Sequence, residues 1–155
     1  MMERVSDYPR PPRLEHCSDH VRVEALGRLL AESNRSIRIL ETFHPPTYYL
    51  PPDAFNLDLL ESSSHSTFCE WKGIATYHDV VFGDQRLHEA LWTYLNPSDR
   101  FREIAGWYAL YPALMDACWV NAELVIPQPG SFYGGWITPE IQGPFKGDPQ
   151  HPKLI

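Results

Sequence analysis

Two proline pairs, Pro45–Pro46 and Pro51–Pro52, bracket the four residues Thr47 to Leu50. Proline has no N–H to give a ladder, and its ring disrupts a helix interior. This stretch therefore holds neither a long helix nor a long central strand. The same punctuation runs along the whole chain: fifteen prolines in 155 residues are roughly twice the usual share. Between them, apolar residues alternate in short runs. "VRVEALGRLLAES" alternates Val21 and Val23 with Arg22 and Glu24, then turns at Gly27, a hairpin pattern. "RSIRILETF" places Ile37, Ile39, Glu41 and Phe43 on one face, and Ser36, Arg38, Leu40 and Thr42 on the other. "IATYHDVVF" turns at Gly83–Asp84 and returns as "RLHEALWTYLN". "WYALY" stops at Pro112, and "ACWVNAELVI" reads as a tight hairpin around Asn121, with Asp116 capping a turn just before it. One short helix is expected over "DRFREIAG", capped by Asp99.

These runs predict an all-β domain with one or two short helices, a small open or closed β-barrel or tent-like fold whose interior takes the alternating aromatics. Three zones follow from composition. Residues 1–18 read as an extended arm, 19–126 as the β-rich core, and 127–155 as a Gly/Pro/aromatic tail packed on the core rather than paired in a ladder of its own. The glycine-bracketed "GSFYGG", Gly130 to Gly135, lies in that tail.

Charge and cysteine usage narrow the partners. A formal charge of −7 and the absence of any Lys/Arg run speak against a nucleic-acid polymer. The longest nearly apolar run, Ile104 to Met115, is shorter than the ~20 residues that span a bilayer. Cys17, Cys69 and Cys118 form no Cys-x-x-Cys spacing, the pattern of a reducing, cytoplasmic compartment. The expected partner is a small molecule, with a homodimer left open. "EHCSDH" gathers His16, Cys17 and His20, but no second ligand pair follows, so no metal is expected. His65, in "ESSSHS", reads as a loop residue without chemistry. No phosphate loop, dinucleotide fingerprint or nucleophile elbow is present, and no cofactor is expected.

Chemistry-bearing residues cluster in two stretches. "FCEWKGIATY", Phe68 to Tyr77, read as extended, puts Cys69, Trp71, Gly73, Ala75 and Tyr77 on one face, and Phe68, Glu70, Lys72, Ile74 and Thr76 on the other. Cys69 then sits in an apolar row, as a small buried hydrophobe or as a thiol needing a cation to activate it. Lys72 either lines a pocket or is a solvated strand lysine. Glu41 continues the Ile37–Ile39 row, so its carboxylate is expected to be buried. It serves there as a general acid or base, or in an ion pair with an arginine or Lys72. His44, held by the prolines that follow, is a proton carrier or a turn residue. One of Tyr48 and Tyr49 is expected to enter the same cavity.

"ETFHPPTYYLPP", "CEWKGIATY", "LWTYLNP" and "IAGWYALYP" occur in the order that marks the family called domain of unknown function 427, catalogued in places as a nucleotidyltransferase. The chain resembles that family over about residues 20 to 120. The resemblance implies a small β-rich fold related to open-barrel or tent-like zinc-binding domains. Those relatives hold zinc with cysteine pairs, which this chain lacks. The motif positions that carry over are Glu41, His44, Tyr48, Cys69, Lys72, Gly73, Tyr77, Trp92 and Tyr94.

The resulting expectation is a small-molecule pocket with Glu41, His44 and Lys72 as catalytic residues. Tyr48, Cys69, Trp71, Tyr77, Trp92 and Tyr94 bind the substrate. The reaction expected is cofactor-independent acid/base chemistry: cyclisation, isomerisation, hydration or hydrolysis. A non-catalytic binding module and a nucleotide-handling protein are the alternatives.

Overall fold

The computed structural model describes residues 2–130 and 132–154. Fifteen short strands follow in chain order. They begin with β1 (Glu3–Arg4), β2 (Arg13–Cys17), β3 (Val21–Ala25), β4 (Arg28–Ser33), β5 (Ser36–Leu40) and β6 (Thr47–Tyr49). Then come the long meander strands β7 (Leu60–Cys69), β8 (Gly73–Phe82) and β9 (Gln85–Thr93), followed by β10 (Tyr108–Leu110) and β11 (Ala117–Val120). The chain finishes with two-residue strands: β12 (Glu123–Leu124), β13 (Ile126–Pro127), β14 (Trp136–Ile137) and β15 (Ile141–Gln142).

The all-β class stands, but no sheet among the described residues closes into a barrel. The orders are β10-β9-β8-β7, β12-β11-β3-β4 and β2-β5-β6, with two small pairs, β13-β14 and β1-β15. Leu50 and Tyr108 exchange both backbone bonds at 2.9 Å. This bridge joins β6 to β10, and so the three-stranded sheet to the meander. Helical structure among the described residues is limited to short 3₁₀ turns. The longest, Asp99–Ile104, is broken at Phe101 (φ −112°, ψ 16°), and its N-cap is Ser98, not Asp99. No helix among the described residues is long and apolar enough to cross a membrane.

The hairpins fall where alternation placed them. Leu26 and Gly27 both have positive φ (52° and 73°), as do Asn121 and Ala122 (49° and 66°). Such left-handed pairs match the twist of the flanking strands. Asp116 accepts the Gly27 N–H at 2.7 Å and so fastens the first turn.

The outer two zones differ from expectation. Val5 and Tyr8 are buried, in a small core with Leu40 and Ile141. β2 pairs with β5 along its whole length, from Arg13↔Leu40 to Cys17↔Ser36. Residues 1–18 are therefore part of the body; the partners of β2 lie 19 to 27 residues downstream, where local pattern gives no sign of them. The tail forms two ladders after all, β13 with β14 and β15 with β1, and it buries Trp136 completely in the main core. The sheets thus run across both composition boundaries.

Candidate functional site

The site is built where β5, β6, β8 and β9 turn one face inward and the tail crosses over it. In the antiparallel pair β5–β6, Ile37 stands opposite Tyr49 and Ile39 opposite Thr47, so those four share a face. In β8–β9, Tyr77 stands opposite Trp92. These rows wall a cavity of about 200 Å³. That is larger than the ~150 Å³ engineered cavity known to take benzene. Glu41, His44 and Lys72 all line it, together with Tyr77, Trp92 and Tyr94.

Four expected site residues are placed differently. Tyr48 pairs with Arg38, not with the isoleucines, and lines a separate acidic hollow. Its place in the cavity is taken by Tyr49. Cys69 and Trp71 do not line the cavity; they pack behind it against the cluster that contains Tyr94 and Phe101. Lys72 is not on a strand. Cys69 stands opposite Gly73, so Glu70, Trp71 and Lys72 form a three-residue hairpin loop. The loop interrupts the alternation assumed for 69–77 and turns the lysine inward, its Nζ 5.8 Å from the Tyr94 ring centroid and 5.7 Å from that of Phe101. His65 is on β7, not in a loop. His16 and His20 point to different carboxylates, Glu103 and Glu32.

The tail supplies what sequence reading missed: Gln128, Phe132, Tyr133 and Gly134, with Tyr111 from the turn after β10. Gly134 passes so close to Trp92 that a Cβ there would sit inside the edge of the indole. A glycine pair beside an aromatic-rich segment was the available signal for a close backbone approach. Ser131 lies outside the described residues.

Gln128 is nearly fully buried and decides the state of His44. Its Oε1 accepts the Gly135 N–H at 3.1 Å, so its Nε2 donates, to the Lys146 carbonyl at 2.9 Å and to His44 Nδ1 at 3.1 Å. A neutral imidazole that accepts at Nδ1 carries its proton on Nε2. That nitrogen faces Glu41, 4.0 Å away, while Arg10 stands 3.5 Å from the same carboxylate oxygen. Burial lowers the His44 pKa and outweighs the upward pull of Glu41 and of the Gln128 hydrogen bond, with Lys146 and Arg10 lowering it further. The ring is therefore a neutral Nε2–H donor.

The tyrosines are donors as well. Burial pushes the hydroxyls of Tyr49, Tyr94 and Tyr111 above the ordinary tyrosine range. They stay protonated, and Tyr49 already accepts the Trp92 indole N–H at 3.1 Å. In a chain of net charge −7, Arg10 stands 3.5 Å from the Glu41 carboxylate, Lys72 lines the same cavity and Lys146 acts on His44, so positive groups gather at the site's one lining carboxylate among the described residues. The local field favours an anion.

Two neutral histidines give the fold a pH signature. His78, packed edge-on to Tyr108 with a buried Nδ1 that has no partner among the described residues, is also lowered by burial. Both have folded values below the ordinary 6.5, so the unfolded chain takes up their protons first as pH falls. Their contribution is complete above 6.5 and is lost below it, at up to ~1.4 kcal/mol per pH unit for each ring. Burial would raise Asp79, but the Glu89 N–H and Arg86 hold it below its ordinary 3.8. Its contribution is lost only as pH falls below that value. Urea unfolding at pH 7.5, 6.5 and 5.5 is expected to show declining stability. The decline should be shallower in the His44→Gln, His78→Phe double variant; an unchanged slope would contradict the assignment.

Fold and site together define a class: small all-β domains with a polar–aromatic cavity closed by a tail. The profile described as "Domain of unknown function (DUF427)", labelled NTP_transf_9, matches residues 13–121, and the chain belongs to that family. No curated protein matches the chain. The family match includes Glu41, His44 and Lys72 and ends before the tail residues that close the cavity.

Proposed function

We propose that this chain is an acid/base enzyme acting on a small organic acid, and that it begins by moving a proton next to a carbonyl. The carrying observation is one cavity in which a carboxylate, a neutral histidine donor and a lysine meet three protonated tyrosines. Glu41 is the base, since the Nδ1 lone pair of His44 is already engaged by Gln128. Glu41 takes the proton from the substrate carbon and returns it at the end of the reaction, while His44 Nε2–H, facing the same space, acts as a neutral hydrogen-bond donor. Lys72 and the tyrosine hydroxyls stabilise the enolate-like charge that develops, as preorganised hydrogen-bond donors do. Cyclisation, isomerisation and hydration can all start from this step, and it uses only the side chains named.

The family's transferase label would call for paired carboxylates holding Mg²⁺ around a phosphate cradle. Glu41 is the single carboxylate among the described residues that line the cavity. That favours proton transfer over nucleotidyl transfer.

Deuterium exchange at the carbon beside the carbonyl, followed by NMR in D₂O over a panel of 2-oxo, 3-oxo and α,β-unsaturated acids, tests the reading. Exchange is expected with the wild type and is expected to fall about 100-fold in Glu41→Gln and in Lys72→Met, with melting temperature nearly unchanged. An acid that binds but is recovered without exchange would leave a ligand-binding module. Failure of every acid to bind at millimolar concentration would remove both readings.

A further inference from the structure

We propose that the groove outside the cavity receives an aryl arm of the same organic acid, beside a histidine that Glu89 holds in one orientation. This rests on the reading of the cavity as a carboxylate site and adds the class of substrate. The two spaces share Tyr77, Tyr111, Phe132 and Tyr133, so they adjoin at these residues. The groove encloses about 590 Å³ and continues over Ala113 and Leu114. Phe132 is 83% exposed and Leu114 43% exposed. Apolar surface of this kind gains when a ring covers it, and an occupant here lies next to the cavity that Lys72 lines, across the four shared residues.

The polar rim of the groove is built by two irregularities in one sheet. β7 loses register between Ser62 and Ser66, and the β8–β9 register shifts between His78 and Val80. Within the second, Glu89 has φ +48°, a left-handed conformation that costs a residue with a side chain. Asp79, 6% exposed, pins it by accepting its N–H at 2.7 Å and is itself held by Arg86 at 2.5 Å. The bulge sends the Glu89 carboxylate across β8 to β7. There it accepts the Ser63 hydroxyl at 2.8 Å and meets His65 Nδ1 at 3.0 Å. The His65 ring is stacked on Tyr77, centroids 5.0 Å apart and planes 17° apart. Bulges that re-aim a side chain gather at binding sites. In the neutral ring, Nδ1–H given to Glu89 leaves the lone pair on Nε2, where it can accept from a hydroxyl on the ligand's ring.

Propionate, the phenylalkanoates from phenylacetate to 5-phenylpentanoate, and their 4-hydroxyphenyl counterparts are the probes. They are titrated by NMR with the histidine ring resonances assigned. The best aryl acid is expected to bind about ten-fold or more tighter than propionate, and to shift the His65 signals while propionate leaves them in place. Leu114→Asp should lose that gain and retain propionate affinity, and Lys72→Met should lose both. His65→Ala should remove only the advantage of the 4-hydroxyl group. Equal affinity of propionate and every aryl acid, with His65 unmoved, overturns the groove proposal and leaves the carboxylate site standing. If no acid binds, propionate included, the cavity reading fails and the groove proposal fails with it.

Discussion

Replacing Trp136 by alanine is expected to cost about 3–5 kcal/mol, the usual range for deleting a fully buried large aromatic side chain, and to open the cavity in the same step. Trp136 is 0% exposed and packs on Tyr48 with ring centroids 4.8 Å apart. Its backbone N–H is given to the Pro46 carbonyl at 2.8 Å, and its register partner is Pro127. The tail between Pro127 and Trp136 carries Gln128, Tyr133 and Gly134, so that anchor also holds the wall of the site. The buried indole N–H has no partner among the described residues. Its removal therefore costs no hydrogen bond, and the loss is one of packing and contact. A domain of this size has a total stability of about 5–15 kcal/mol, so the variant should remain folded only marginally. Urea unfolding measures the loss. The His44 ring signals report the site, because they depend on Gln128 staying in place. A loss below about 1 kcal/mol would show that the tail is not part of the folding unit. Normal His44 signals in the folded variant would separate stability from site closure.

How much of this could be read from the sequence depended on the range of the contact. Hairpins were legible because both strands and their turn lie within about twenty residues, as with Val21–Ser33 and Gly73–Thr93. The proline brackets marked both ends of β6 without marking it as a strand. Alternation gives two faces but does not say which one faces the cavity. In β5 every residue is buried, so no polar face marks the outside. Tyr48 and Tyr49 were therefore indistinguishable until register set Tyr49 opposite Ile37. Lys72 was assigned to the wrong face because a three-residue loop interrupts the strand period, and Gly73 (φ 105°) was the residue that marked it. Glu41 and His44 were found because they continue, or directly follow, a strand whose pattern was clear. Gln128 has no periodic neighbours, and its role depends on a backbone path from Gly135 and Lys146 that only the folded chain displays.

Arg38 is expected to be the second most costly position. It is 8% exposed and gives its guanidinium to two carboxylates, Glu3 at 3.2 and 3.3 Å and Glu15 at 2.9 Å, with a further short contact to Glu15. Asp19, Glu123 and Glu140 line the same hollow. Arg38→Ala leaves these acids facing one another without their central cation. The expected cost is about 3 kcal/mol, the lower end of the range for breaking a buried pair, because Glu3 and Glu15 keep part of their hydration. The pH dependence identifies the cause. Carboxylates crowded without a cation bind protons more readily in the folded chain than in the unfolded one, so their repulsion is relieved as pH falls from 7 toward 4.5. Against the background decline from His44 and His78, the variant should recover toward the wild type over that window. A Glu3→Gln, Glu15→Gln, Arg38→Met triple variant should regain most of the loss at pH 7, since an apolar replacement of a whole buried ion cluster is often neutral. A deficit that stays constant from pH 7 to 4.5 would mean that Arg38 acts through packing against Tyr48 rather than through its charge.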